Sequence, residues 1–392
     1  MERGARYYSF LFRGTEHGRI CLLFLCWLLF LLLFSFFFLA LHHQPGEVPE
    51  VRARTFFQRF FYWDGNWFTD IARYGYRGLS IAREWDVEYI STPFFPLYPL
   101  LVRAFSYLLP GNYGAAALAV SWISTLLALL YLYSLSKLYQ DRESSYRSCL
   151  FLLVFPTAVF LAAGYSEALF LLCAVAAFYH ARRSSWLLAG IWGFLACLTR
   201  PVGLAVALAI ALEAMRQSEW KLSRLRLRQA AVLLSPLGLL SYLLYLQVEF
   251  GDMFILFKAE RLGWHRGFNP WGFFQALRNV FGANDFFTEQ FAQYLYLVLF
   301  ALLFLVLVVA VFRRFGLPLG AYSAVCYLLP LMSSPASTPL LSLNRLVLII
   351  FPAFMVLGAW GRNRNLERIC VFASTLGLAF FTAQFISGYW AG

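Results

Sequence analysis

CLLFLCWLLFLLLFSFFFLAL, residues 21–41, carries no charge over 21 residues and would span roughly 30 Å as a helix, the depth of a bilayer's hydrocarbon core. It ends in Leu39-Ala40-Leu41-His42-His43, a poor small-residue cleavage site. A retained first membrane helix is therefore expected, not a signal peptide. Working outward, further apolar runs occupy 113–135, 148–163, 168–180, 186–198, 202–215, 230–248, 291–312, 317–332, 346–360 and 369–389. About eleven transmembrane helices follow. Several runs are short for a full span, as expected where a helix ends at a cavity instead of open lipid.

Composition agrees. Of 392 residues 61% are hydrophobic and 13% charged, with a mean hydropathy of +0.65, which leaves too little polar surface for a water-soluble domain of this length. Many of the 42 Phe, 22 Tyr and 12 Trp fall outside the most apolar runs, where rings sit at headgroup level. No Gly/Ser linker or low-complexity tract interrupts the chain, so one membrane domain over 1–392 is expected. Cys21, Cys26, Cys149, Cys173, Cys197, Cys326 and Cys370 all lie in or beside apolar runs. That placement argues against a disulfide framework and a cysteine metal site. His42-His43, where the first helix leaves the membrane, reads as interfacial polarity before metal binding.

Charge sets the orientation. With the N-terminus cytoplasmic, the cytoplasmic segments hold 19 Lys/Arg against 7 acidic residues, and the other side 13 against 13. The whole net charge of +12 then lies inside, as the positive-inside rule requires, and calls for no nucleic acid. The densest basic stretch, 221–228, reads as a cytoplasmic loop on anionic headgroups.

Three outer segments are too polar to span: 42–112, 249–290 and 333–345. Loops that long are rarely bare connectors. The ring-heavy stretch 55–63 is amphipathic and suits a short interfacial helix. Function is expected on this side.

The first outer loop contains Trp63-Asp64-Gly65-Asn66-Trp67-Phe68-Thr69-Asp70-Ile71-Ala72-Arg73-Tyr74-Gly75-Tyr76 and continues through Glu84, Asp86 and Glu88 to Thr92-Pro93-Phe94-Phe95-Pro96-Leu97-Tyr98-Pro99. Carboxylates among rings beside a membrane lose water, the condition under which an acid becomes a usable base. Asp64 can equally be the N-cap of a short helix over 65–74 stopped by Gly75, and the two roles are compatible. Glu167 opens a membrane helix at the outer face. It is either a carboxylate favoured by the helix N-terminus or a second acid facing the same cavity. Arg200, in Thr199-Arg200-Pro201, precedes a helix whose first position suits Pro201. Arg200 and Arg345 either snorkel to the interface or bind a phosphate, for which a guanidinium fork is well shaped. Trp63, Lys258, Arg261 and His265 are weaker substrate-binding candidates. Walker loops, dinucleotide fingerprints, Gly-x-Ser-x-Gly elbows, zinc-ligand spacings and Asp-x-Asp pairs are absent from the sequence, which disfavours a soluble nucleotide substrate.

At these residues the sequence resembles a known family. Trp63-Asp64, Ile71-Ala72, Gly75-Tyr76 and Phe95-Pro96-Leu97-Tyr98-Pro99 resemble the first luminal loop of PIG-V-type mannosyltransferases, which include the second mannosyltransferase of GPI-anchor assembly and its prokaryotic relatives. Phe155-Pro156-Thr157, Tyr165-Ser166-Glu167, Thr199-Arg200, Gly203 and the stretch from Ser334-Pro335 through Arg345 to Phe351-Pro352 follow in the family's order. The resemblance runs from about 57 to 352. Each motif is short, and their order makes the match specific. The short 333–344 loop and Asn344-Arg345 depart from the family's Pro-Arg or Ser-Arg forms.

The resemblance implies an all-α, polytopic fold of the C-type glycosyltransferase superfamily (GT-C). It implies transfer of a sugar, mannose by family, from a polyprenyl or dolichyl phosphate donor to a glycan, lipid or protein acceptor at the extracytoplasmic face. Asp64 is then the acid, with Glu167, Arg200 and Arg345 around the cavity. Inversion without a metal or other cofactor is expected. The absence of eukaryotic-style insertions suggests a prokaryotic plasma membrane, or the endoplasmic reticulum if the chain is eukaryotic. Two other readings compete. A polytopic lipid or solute transporter or flippase predicts internal repeats, which are not seen, and leaves the large first loop unexplained. A non-catalytic partner of a glycosylation complex could dispense with the acid.

Overall fold

A computed structural model of the chain describes residues 16–41, 54–77, 89–282, 285–286 and 288–392. The eleven apolar runs are mostly helical, though 148–163 is interrupted at 154–158 and 346–360 at Ile350, and no strand occurs among the described residues. The helices are α1 (Glu16–Leu41), α2 (Asp64–Tyr74), α3 (Leu97–Ser106), α4 (Tyr113–Ser136), α5 (Arg142–Leu153), α6 (Glu167–Arg182), α7 (Trp186–Thr199), α8 (Gly203–Gln217), α9 (Leu234–Phe250), α10 (Gly272–Phe281), α11 (Glu289–Phe315), α12 (Leu317–Met332), α13 (Phe351–Trp360) and α14 (Arg364–Ile386), with single turns between some of them.

Length and apolarity together qualify five of these helical segments as full spans, and six when a pair bent by 81° is counted as one. The expected eleven are therefore not all full-length spans. Short helices such as α6, α7 and α8 are possible because protein surrounds them. In α6 every residue from Glu167 to Ala181 is buried, with α4 and α7 packed on either side. Peripheral helices do the reverse. In α1 a stripe of Ile20, Phe24, Trp27, Leu31 and Ser35 turns inward at helical spacing, while Leu22, Leu25, Leu29 and Leu33 face outward, where lipid replaces water.

Close approach of helices depends on missing side chains. A Cβ on Gly190 would stand 2.1 Å from the Ala231 carbonyl oxygen, and one on Gly238 would stand 2.2 Å from that of Phe194. Both contacts join α7 to the segment running into α9, the small-residue packing that membranes favour.

The two ends of the bundle differ. At one end charges are exposed and paired: Glu16 with Lys137 and Arg142, Asp141 with Arg362, Arg147 with Glu367. Asp141 also caps α5 through the Ser144 amide at 2.9 Å. At the other end lie α2, the start of α6, the α7–α8 turn and the end of α14. The outer loop is pinned there by Phe61. A Cβ on Gly65, Gly114 or Gly164 would meet its side chain at 2.8, 2.6 and 3.0 Å, and Gly164 donates its amide to the Phe60 carbonyl. The expected interfacial helix over 55–63 is only a 3-10 turn at Phe57–Phe60, because the chain bends there to bury Phe60 and Arg59. Further on, buried tyrosine hydroxyls hold the loop. Tyr76 donates to Phe94, Tyr98 to Ala117 and Tyr242 to Thr92, each to a carbonyl.

Candidate active site

Three breaks in the helical pattern bring the site together. Trp63 takes a positive φ of 53° just before α2, and Gly75 ends that helix at φ 77°. The α7–α8 turn closes so tightly that a Cβ on Gly203 would stand 2.4 Å from the Cys197 Cα. Finally, the chain turns through 81° between the segment Leu343–Ile349 and α13, with Ser342 at φ 69° before it and Pro352 in the first turn after it. Positive φ on residues other than glycine costs roughly 1–3 kcal/mol each and persists where surrounding structure enforces it. Trp63 and Ser342 flank the site's Asp64 and Arg345.

These breaks juxtapose the four charged residues singled out in the sequence. Arg345 Nη1 donates to Asp64 Oδ2 at 2.6 Å, and Arg345 Nε lies 3.4 Å from Glu167 Oε1. Arg200 Nη1 lies 2.7 Å from the same Glu167 oxygen and 3.2 Å from Ser166 Oγ. The result is a chain of alternating charge, Asp64–Arg345–Glu167–Arg200, with no net charge. Its inner members are nearly sealed: the side chains of Glu167 and Arg345 are 1% and 4% exposed. Asp64 keeps 21% and Arg200 16%, so the two ends of the chain are the reachable ones. Rings enclose the middle. The Arg345 guanidinium lies 5.2 to 5.5 Å from the ring centres of Tyr165, Trp390 and Phe160. Burying an ion costs several kcal/mol unless partners compensate, and here each buried charge has two of opposite sign. Neither Glu167 oxygen nor Arg345 Nε has a hydrogen bond of good geometry among the described residues, so charge, not hydrogen bonding, ties Glu167 to its two arginines.

Two local expectations change. Asp64 is not an N-cap. It is the first residue of α2, Trp63 holds the cap position, and no side chain caps the helix. The carboxylate that would have met the helix amides is drawn to Arg345 instead. Nor does Pro201 begin α8. That helix starts at Gly203, and Arg200 is the C-cap of α7. Glu167 does open α6 and Arg345 does stand in a helical turn, Leu343–Leu346.

The second outer loop offers a different cation from those singled out. Lys258 is exposed and pairs with Asp252 at 2.6 Å, while Arg261 and His265 are exposed. The residue turned inward is Arg266. Its Nη2 lies 3.4 Å from Ser342 Oγ, and its amide donates to the Glu260 carbonyl. Burial holds the Arg266 guanidinium below its usual range, opposed by Glu260, while the charges of Arg345, Asp64 and Arg200 also act on it. Burial likewise pushes the Glu260 carboxyl up, against the pull of Arg266. Trp390 was also missed. It covers Arg345 and meets Trp63 edge to face at 5.5 Å, and the neighbouring Ala391 carbonyl accepts from Asn344 Nδ2 at 2.9 Å. Trp63 itself is half-exposed on the rim. Glu84, Asp86 and Glu88 lie outside the described residues. Among the described residues no three His, Cys, Asp or Glu side chains gather as a metal site.

The fold has relatives of known structure. ArnT from Cupriavidus metallidurans bound to undecaprenyl phosphate is similar over 93% of this chain and 76% of its own, at 13% identity and a TM-score of 0.51. Its apo state is similar over 82% and 71%, at 14% identity and a TM-score of 0.48. The Archaeoglobus fulgidus oligosaccharyltransferase tethered to an acceptor peptide is similar over 97% of this chain and 56% of its own, at 13% identity and a TM-score of 0.46. No curated protein matches. The likeness to ArnT shows a shared all-helical fold. Residues 19–276 match the family described as Mannosyltransferase (PIG-V), and the chain belongs to that family.

Proposed function

We propose that the protein transfers a mannosyl residue from a polyprenyl- or dolichyl-phosphate donor to a hydroxyl of a glycan, lipid or protein acceptor, with inversion and without a metal, at the extracytoplasmic face. The observation that carries the reading is the asymmetry of the two acids: Asp64 is reachable, while Glu167 is sealed between two arginines. The family supports the sugar, and the undecaprenyl phosphate bound to the similar ArnT fold supports the class of donor. The charge balance of the sequence supports a cytoplasmic N-terminus, which would put the site on the far side of the membrane.

In this reading the acceptor oxygen attacks the anomeric carbon from the face opposite the phosphate. The new C–O bond forms as the bond to the phosphate oxygen breaks, and that oxygen keeps the electron pair. Asp64 takes the acceptor's proton. Arg345 aims the Asp64 carboxylate, and Glu167 holds Arg345 in place. Arg200 at the reachable end of the chain, with the Arg266 charge also acting on the site, meets the charge that grows on the phosphate, the task suited to guanidinium groups in a water-poor site. The half-exposed Trp63 at the rim supplies an aromatic face for a sugar ring. A phosphate leaving group so met needs no metal.

The test is Asp64→Asn in membranes given labelled polyprenyl-phosphate mannose. Asn keeps an oxygen for Arg345 but cannot take a proton. Loss of transfer by a stably folded variant is expected. Transfer at the wild-type rate would overturn the role of Asp64. Equal use of polyprenyl-phosphate glucose by the wild type would overturn mannose.

A further inference from the structure

On α11 the residues Leu305, Val306, Val309, Ala310, Arg313 and Arg314 recur at spacings of one, three and four, so they form one helical stripe. The stripe is about 14 Å long at 1.5 Å per residue, and it changes abruptly from apolar to doubly cationic. Val356 and Trp360, one turn apart on α13, face it across a groove of about 590 Å³. Leu305, Val306 and Val309 are open to the surroundings, and no acidic residue lines the groove. Neither arginine has an ion-pair partner among the described residues. The groove lies at the paired-charge end of the bundle, away from Asp64.

We propose that this groove is a binding site for one anionic phospholipid of the leaflet at that end. The phosphodiester sits on Arg313 and Arg314, and part of an acyl chain lies along Leu305, Val306 and Val309. The occupant follows from the grading of the groove. A soluble phosphate would have no use for two apolar helical turns facing lipid, and a zwitterionic headgroup would bring its own cation to a double arginine. Trp360 stands at the level where indole rings favour the membrane interface. Annular lipid needs no concave site and does not distinguish these arginines from others at the same end. A specific site must do both.

The measurement is native mass spectrometry of the detergent-solubilised protein titrated with phosphatidylglycerol or phosphatidylcholine. One phosphatidylglycerol molecule should be retained, about tenfold more tightly than phosphatidylcholine. Arg313→Gln with Arg314→Gln should weaken it about thirtyfold, two cations at a membrane surface each being worth about fivefold. Val309→Trp, which fills the groove and keeps both charges, should also lose the lipid. Arg226→Gln with Arg228→Gln removes the same charge elsewhere at that end and should change nothing. Thermal unfolding of each variant separates loss of the site from loss of the fold, and the single Arg313→Gln serves if the double variant unfolds. Equal retention of the two lipids, equal weakening by both double variants, or retention by Val309→Trp would overturn the proposal. Displacement by glycerol phosphate alone at comparable concentration would assign the arginines to a soluble phosphate instead.

Discussion

If Glu167 holds Arg345 and Arg200 in place, its removal should be felt first as instability and only through that as lost turnover. Glu167 Oε1 lies 2.7 Å from Arg200 Nη1, with the Glu167 side chain 1% exposed and that of Arg200 16%. At that separation and an effective dielectric near 20 the attraction is about 6 kcal/mol, an upper bound that desolvation reduces. Removing one member of a buried pair typically costs about 3–5 kcal/mol because the other charge is stranded. Glu167→Gln, which strands Arg200 and leaves Arg345 with Asp64 alone, belongs within that range. Arg200→Gln should cost about 2–3 kcal/mol, since Glu167 keeps Arg345 at 3.4 Å and the Arg200 side chain is partly open. The double variant should cost less than the two together by about 2 kcal/mol or more, the coupling expected of a close charge pair. Equilibrium unfolding in mixed micelles reads the cycle, and transfer kinetics on the same samples read its consequence. A positioning Glu167 should lower kcat with little change in KM and leave the pH profile of transfer in place. Additivity within about 0.5 kcal/mol would refute the coupling. A Glu167→Gln enzyme that is fully stable yet inert would make Glu167 chemical and displace Asp64.

Three further outcomes follow from individual contacts. Burial raises the Glu260 carboxyl above its ordinary value of 4.5, so folding favours the neutral form. Stability from this group is complete below the ordinary value and is lost as pH rises through the folded one. Glu260→Gln should flatten the pH dependence of unfolding above 4.5, and identical slopes in the two proteins would count against it. Gly203→Ala must displace the Cys197 backbone, at about 1–3 kcal/mol. By moving Arg200 it should also lower transfer about tenfold or more, measured at saturating donor. Asp141→Ala removes the cap of α5 and the partner of Arg362 at the opposite end. It should cost about 1 kcal/mol in thermal unfolding and leave transfer unchanged.

The membrane character of the fold could be read from the chain because it depends on averages. Eleven apolar runs predict helical stretches whatever their partners, and helix fills most of each, with breaks inside 148–163 and 346–360. Span lengths could not be read, because they depend on what surrounds a helix. Both α1 and α6 read as apolar, although α1 faces lipid along one side and α6 faces protein on every side. The four charged residues were recognisable as exceptions, ionisable groups where water is scarce. Their pairing was not. It depends on a turn closed by Gly203, an 81° bend and a positive φ at Trp63, and none of these has a sequence signature beyond a glycine and a proline. Arg266 was passed over for Lys258 and Arg261 because spacing cannot tell an inward cation from an outward one on a loop. Trp390 lay at the end of a helix with nothing nearby to mark it.

The motif residues divide by what they touch. Phe95, Tyr98, Tyr165 and Gly203 meet rings, carbonyls or backbone and build the frame. Asp64, Glu167, Arg200 and Arg345 meet one another. The neutrality of that quartet has a chemical consequence. An unpaired arginine pair would bind any anion, including the polyprenyl phosphate that the proposed transfer leaves at the end of each turnover. Two arginines already matched by two carboxylates attract a phosphate only as far as it can draw Arg200 away from Glu167 or Arg345 from Asp64. In the proposed reaction the phosphate would meet Arg200 at the reachable end while Arg345 stays on Asp64, and the sealed Glu167 would draw Arg200 back when the phosphate departs.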